Sequence, residues 1–210
     1  MNYRESRNYE NLQLRIFDGV GDYGIPQIYP EEYKGCEWIS YNYALSCKER
    51  KGKGIHFFVD DYQFMRLWRD PERYIDMLRQ FEYVMSPDFS TYTDFPKAVQ
   101  VYNHYRKHWL GAYMQEQGIK VIPTISWSTP DSFDWCFDGE PGGATVAVSS
   151  VGCMASSESK ELFVNGYKEM VKRLSPETII FYGNVPDECK GNIIRVKAYQ
   201  DKFKEAICGW

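Results

Sequence analysis

The sequence predicts an α/β fold: a small or incomplete TIM-like (β/α) barrel, with an open doubly wound parallel sheet as the alternative. Three observations predict it. Apolar runs of strand length recur at 55–60, 82–86, 119–126, 144–151 and 178–183. They lack strict polar alternation, as strands buried on both faces of a parallel sheet do. Segments with helical spacing fall between them, and strand alternating with helix implies parallel strands joined by right-handed crossovers. Five or six such units in 210 residues are too few for a full eightfold barrel.

Residues 1–24 read as an irregular segment, with "DGVGDYG" supplying turn chemistry, and 25–210 as a single α/β domain. The first short apolar run is "IPQIYP" at 25–30, and "EWISYNYA" within 35–48 adds a strand that helps close the sheet. "DPERYIDMLRQF" places Asp70 at an N-cap and Pro71 in the first turn, and it sets Tyr74, Met77, Leu78 and Phe81 on one side. The long segment from Asp94 repeats that entry with Pro96, stacks Val99, Tyr102, Tyr105, Trp109 and Tyr113 on one face, and stops at Gly118. "SKELFVNGYKEMVKRLSP" is a third helix, and a last one is expected over 192–207.

Composition narrows the function. A net charge of -4 and a pI near 5.5 exclude a broad basic face for duplex DNA, which needs clustered Lys and Arg. "CKERKGKG" at 47–54 mixes both signs and reads as a solvated loop. No apolar stretch reaches the roughly 18 residues of a membrane span. The polar start "MNYRESRNYENLQLR" lacks the apolar centre of a signal peptide. A cytoplasmic location is therefore expected. Six cysteines without a CxxC pair indicate neither a zinc ribbon nor a disulfide framework. The 17 Tyr, 12 Phe and 6 Trp suit a packed core plus a binding surface.

In either architecture ligands gather at the carboxyl ends of the strands, and polar residues fall there. Tyr29 and Glu31 follow the first run, and Asp60 and Asp61 the next. Ser86, Asp88 and Ser90 come third, and Thr124, Ser126, Trp127 and Ser128 fourth. Ser149, Ser150 and Cys153 precede Tyr182 and Asn184. A carboxylate in mid-strand needs paired partners, whereas at a strand end it meets water, substrate or metal. Asp60, Asp61 and Asp88 are the candidate catalytic group. With Mg2+ or Mn2+ they are metal ligands that activate water for phosphoester cleavage. Without metal, two of them are acid and base on a glycosidic bond, including the N-glycosidic bond of a nucleoside. Glu31, Ser90, Ser126, Trp127, Ser149 and Tyr182 are the candidate substrate contacts, with Trp127 and Tyr182 as stacking platforms. The competing account is that each aspartate caps the helix after it.

Weaker signals lie elsewhere. "HYRKH" sets His104 and His108 one helical turn apart, the spacing of two metal ligands on one face. It lacks the neighbouring Glu of a zincin and sits mid-helix, away from the expected mouth. Cys153, after Gly152, is a conceivable nucleophile but has no histidine at another strand end as its base. "FDGEPGG" at 137–143 is a turn or lid from which Asp138 and Glu140 can dip into the site.

The blocks "GIHFFVDDYQFMRLWRDPERY", "SPDFSTYTDFPKAVQVYNHYRKHWLGAY", "GIKVIPTISWS", "SFDWCFDGEPGGATVAVSSVGC" and "IIFYG" together resemble the family DUF4417, from about Ile25 to residue 200. The resemblance implies a phage, prophage or plasmid setting, and that Asp60, Asp61, Asp88, Trp127 and the "FDG" turn belong to the family's pattern. It implies no activity. Three expectations stand side by side: hydrolysis of nucleotides or single-stranded nucleic acid, sequestration of a nucleotide without turnover, and capture of a host protein through an aromatic patch.

Overall fold

The computed structural model describes residues 9–198. Its first strands, β1 (Gly19–Val20) and β2 (Ile25–Pro26), form a small antiparallel ribbon. The run at 25–30 is thus not a member of the parallel array. That array begins with β3 (Glu37–Ser40), inside the predicted "EWISYNYA". It continues through β4 (Lys53–His56), β5 (Tyr83–Met85) and β6 (Val121–Ile122), all parallel and in chain order. A second parallel sheet holds β7 (Thr145–Ser149), β8 (Thr178–Tyr182) and β9 (Ile193–Val196).

A parallel bridge between Thr124 and Ala147 connects the two sheets. There Ile125 N–H donates to the Ala147 carbonyl and Ala147 N–H to that of Pro123, each at 2.8 Å. The strands therefore succeed one another without the order reversal that marks a doubly wound sheet. The array also curls. The Tyr182 ring at the end of β8 lies 4.6 Å from His56 at the end of β4 and 5.0 Å from Phe58, although β4 and β8 are not neighbours in the sheets.

Helices α1 (Met65–Arg69) and α2 (Glu72–Leu78) follow β4, α3 (Lys97–Glu116) joins β5 to β6, and α4 (Ser157–Leu174) joins β7 to β8. The period of two along the buried strands sorts the core. Ala147 and Ile180 face the cluster of Ile55, Phe57, Val84, Met85, Trp109 and Val121. Their strand neighbours Val146, Val148, Ile179 and Phe181 face Phe163, Tyr167 and Met170 of α4. A reciprocal cap starts α4: Ser156 Oγ accepts from Ser159 N–H at 3.1 Å, and Ser159 Oγ accepts from Ser156 N–H at 3.0 Å.

Two further sequence expectations are corrected. The helix expected from 192 is a strand over Ile193–Val196, paired with β8, and the remainder of that expectation, from 199, lies outside the described residues. The second correction concerns α3. Val99 and Tyr102, placed on its buried face, are exposed, and Tyr102 and Tyr105 line an open groove with Tyr23, Lys97, Ala98 and Val101. In the first half of α3 the buried positions are Gln100, Asn103, His104, Lys107 and His108. That is the spacing of a core-facing stripe, written in polar residues.

Helix α4 comes close enough to the β6–β7 connection that a Cβ on Gly166 would lie 2.1 Å from Trp127 Nε1. The indole also packs on Phe163, ring centres 5.3 Å apart. Gly166→Ala is expected to destabilise the protein by about 1–3 kcal/mol, because overpacking outweighs the helix-propensity gain. Urea denaturation followed by tryptophan fluorescence reads this; a rise in the midpoint would contradict the packing.

Candidate functional site

Two carboxylates come together beyond the ends of β4 and β5. After β4 the chain runs through Phe57 to Val59 into a short 3-10 turn, Asp61–Gln63. Both oxygens of Asp61 accept from Ser90 N–H at 3.2 Å, and one accepts from Ser90 Oγ at 2.8 Å. Ser90 lies two residues past Asp88, so this contact draws the β4 and β5 loops together. Asn103 on α3 holds the Ser90 carbonyl from below.

Asp88 is half-buried, and its carboxyl is pushed up to about 7. Burial is the main cause; Lys107 works against it, Asp61 adds to it, and a hydrogen bond from Ser126 works against it. A carboxyl titrating near neutrality can both give and take a proton in the working range of a cell.

The other predicted residues divide. Ser90 and Ser126 join the pair through the bonds just given. Asp60 is exposed and makes no side-chain cap on the turn it precedes. Among the described residues, the three His, Cys, Asp or Glu side chains with ligand atoms within 4.8 Å of one another are His104, His108 and Glu140, not Asp60, Asp61 and Asp88. Glu31 lies beside Gln115 and Lys120, where α3 ends and β6 is about to begin, and burial raises its pKa. It therefore belongs to the opposite end of the strands from Asp88. Trp127 packs against α4, and Tyr182 is 6% exposed under Phe58 and His56, so both rings are engaged in packing. Ser149 Oγ accepts from Val151 N–H at 3.2 Å, closing its own loop. Burial, with Asp88 nearby, pushes the Cys153 thiol up to about 11, which disfavours the thiolate a nucleophile needs.

Sequence reasoning passed over Lys107 and Tyr62. Lys107 is 1% exposed, and its ammonium donates to the Thr124 carbonyl at 2.7 Å and to Glu140 Oε1 at 2.8 Å. Buried lysines persist only when paired, so a lysine at stripe spacing with two histidines was the available signal. Tyr62, next to Asp61, is 76% exposed and offers the open ring that Trp127 and Tyr182 do not.

Below the acidic pair, α3 meets the "FDGEPGG" turn in a second polar cluster. His108 Nδ1 lies 2.8 Å from the Pro26 carbonyl and His108 Nε2 2.9 Å from Glu140 Oε1. His104 Nε2 lies 3.0 Å from the Asp138 carbonyl. Carbonyls only accept, so both facing nitrogens carry their protons. Gly139, at φ +76°, lets the turn come this close: a Cβ there would lie 2.5 Å from the Pro26 carbonyl oxygen and 2.8 Å from His108 Nδ1. Lys107 links the two clusters, since it bonds Glu140 and acts on Asp88.

These features define a parallel-stranded α/β protein with an acidic pair at its strand ends and a buried histidine–glutamate–lysine cluster beneath. The chain belongs to DUF4417, a domain of unknown function, whose family model matches residues 17–200. It is 41% identical over 180 residues to the Gene 1 protein of Mycobacterium phage L5, covering 84% of this chain and 79% of that protein. It is 39% identical over 194 residues to the Gene 1 protein of Mycobacterium phage D29, covering 91% of this chain and 72% of that one. No solved structure matches it. Among the described residues no helix is long and apolar enough to cross a membrane.

Proposed function

We propose that the protein is a phage or mobile-element hydrolase that acts on nucleotides or nucleic acid, with Asp88 as its general acid or base. The Asp61–Asp88 pair carries this reading: one carboxyl raised to about 7 beside another held by Ser90. Environments that push two neighbouring carboxyls apart are how acid and base roles are divided at one site. In this reading Asp61, held in place by Ser90, aligns the reacting centre, and Ser126 orients Asp88. The consecutive strand order and the contact between β4 and β8 support an incomplete (β/α) barrel whose carboxyl end is the mouth. The phage relatives and the exposed ring of Tyr62 favour a nucleotide, whose base can stack there.

The test is mass spectrometry of the purified protein with a pool of mononucleotides, cyclic nucleotides and short oligonucleotides, with and without Mn2+. New products are expected, with a rate that Asp88→Asn lowers about 10²–10⁴-fold while the fold is retained. An intact ligand released only on denaturation would make the protein a sequestering binder instead. Full activity in the Asp88→Asn protein would remove Asp88 from the chemistry.

A further inference from the structure

We propose that His104, His108 and Glu140 form a binding site for one divalent first-row transition-metal ion of the zinc or ferrous-iron class. The site lies apart from the acidic pair and does not depend on the hydrolase reading. One donor atom from each residue lies within 4.8 Å of one from each of the other two, and the helical i,i+4 spacing of the histidines puts both rings on one side of α3.

The tautomers point the same way. Because the His104 Nε2 proton is directed at the Asp138 carbonyl, a lone pair remains on Nδ1, which is buried and without a partner. The His108 Nδ1 proton is directed at the Pro26 carbonyl, which leaves Nε2 to face Glu140. Metal-binding histidines characteristically donate their other N–H to a carbonyl or carboxylate that fixes the ring, and both do so here. Glu140 Oε2 is also buried and unpartnered. Without an ion, His104 Nδ1 and Glu140 Oε2 are desolvated for no return. An ion among the three residues satisfies them.

The donor set selects the ion. Two imidazoles and one carboxylate suit zinc or iron, whereas magnesium and calcium prefer all-oxygen shells. Around a tetrahedral ion, ligand atoms roughly 2.1 Å from the metal lie about 3.4 Å apart. His108 Nε2 lies 2.9 Å from Glu140 Oε1, and on metal binding it exchanges that contact for the ion. The bond from Lys107 to Glu140 keeps one carboxylate oxygen occupied, so Oε2 is the freer ligand. With His104 at 1% and His108 at 0% exposure, the site is closed. Three protein ligands leave the fourth tetrahedral position to a water, and the ion's role in this buried site is to fasten α3 to the Asp138–Glu140 turn.

Untagged protein is stripped with chelator, titrated with Co2+ and with Zn2+, and assayed for stoichiometry, visible absorption and melting temperature. The expected result is one ion per chain, tetrahedral Co2+ bands and a higher melting temperature that chelator reverses. His104→Ala, which leaves the Lys107–Glu140 and His108–Glu140 contacts in place, is expected to weaken binding more than 100-fold, since outer-shell changes alone cost about 10–100-fold. No bound ion in the wild-type protein, or equal binding by His104→Ala, would overturn the proposal. X-ray absorption at the zinc edge of the wild-type protein decides the matter even if the variant does not fold. Two imidazoles in the shell support the site, and sulfur ligands overturn it.

Discussion

Replacing Asp88 with asparagine is expected to stabilise the protein at pH 8 by up to about 4 kcal/mol, with the gain shrinking toward zero by pH 4. The native carboxyl rises from 3.8 to about 7, and each unit is worth about 1.4 kcal/mol. The folded value exceeds the unfolded one, so between about pH 4 and 7 the native state holds a proton that the unfolded chain has released. Stability contributed by that proton falls as pH rises through the window. Asparagine keeps an acceptor for Ser126 and removes the charge that burial penalises. For a domain of this size the gain corresponds to roughly 10 °C in melting temperature. Urea midpoints at pH 4, 6 and 8 for both proteins check it; a difference independent of pH would show that Asp88 titrates normally. Combined with the predicted loss of turnover, the same substitution would separate what the residue does for activity from what it costs the fold.

Lys107→Met is expected to lose about 3–5 kcal/mol, the usual penalty for removing one partner of a buried ion pair. Methionine fills the space of the lysine stem but leaves the Thr124 carbonyl without its donor and Glu140 with the His108 ring as its remaining partner. Most of the loss should be recovered in Lys107→Met/Glu140→Gln, where no unpaired charge stays buried. Chelator in every sample keeps the comparison to the ion pair. Lys107 also holds the Asp88 pKa down against burial, so the pH window of the first prediction should move upward in the Lys107→Met protein. Calorimetry across pH reads both effects. Wild-type stability in the single variant would mean that Glu140 is neutral.

Parts of this are legible in the sequence alone. The strands β4, β5, β6, β7 and β8 overlap or fall within the apolar runs, because a strand covered on both sides has no polar face to interrupt it. Ile193–Val196 was misread because four residues are too few for periodicity to separate strand from helix. Asp61 and Asp88 could be found as carboxylates following strands, but their partnership rests on Ser90, and no spacing reports a contact across 29 residues. The buried face of α3 was misassigned for a related reason. Aromatic residues usually mark the inside, yet here Thr124, Pro26, Asp138 and Glu140 bring the acceptors that let Lys107, His104 and His108 go there instead.

That polar stripe bears on how the molecule opens. A helix docked by apolar contact can loosen by degrees, since each lost contact forfeits little. The first half of α3 is held instead by carbonyls and a carboxylate from three separate stretches of chain, around residues 26, 124 and 138–140. Releasing one of them strands a buried charge or donor on the others, so half-open states are penalised more than fully open ones. These distant segments are thereby made into a single cooperative unit, and the floor beneath Asp88 shares the fate of the glycine turn some fifty residues away in sequence.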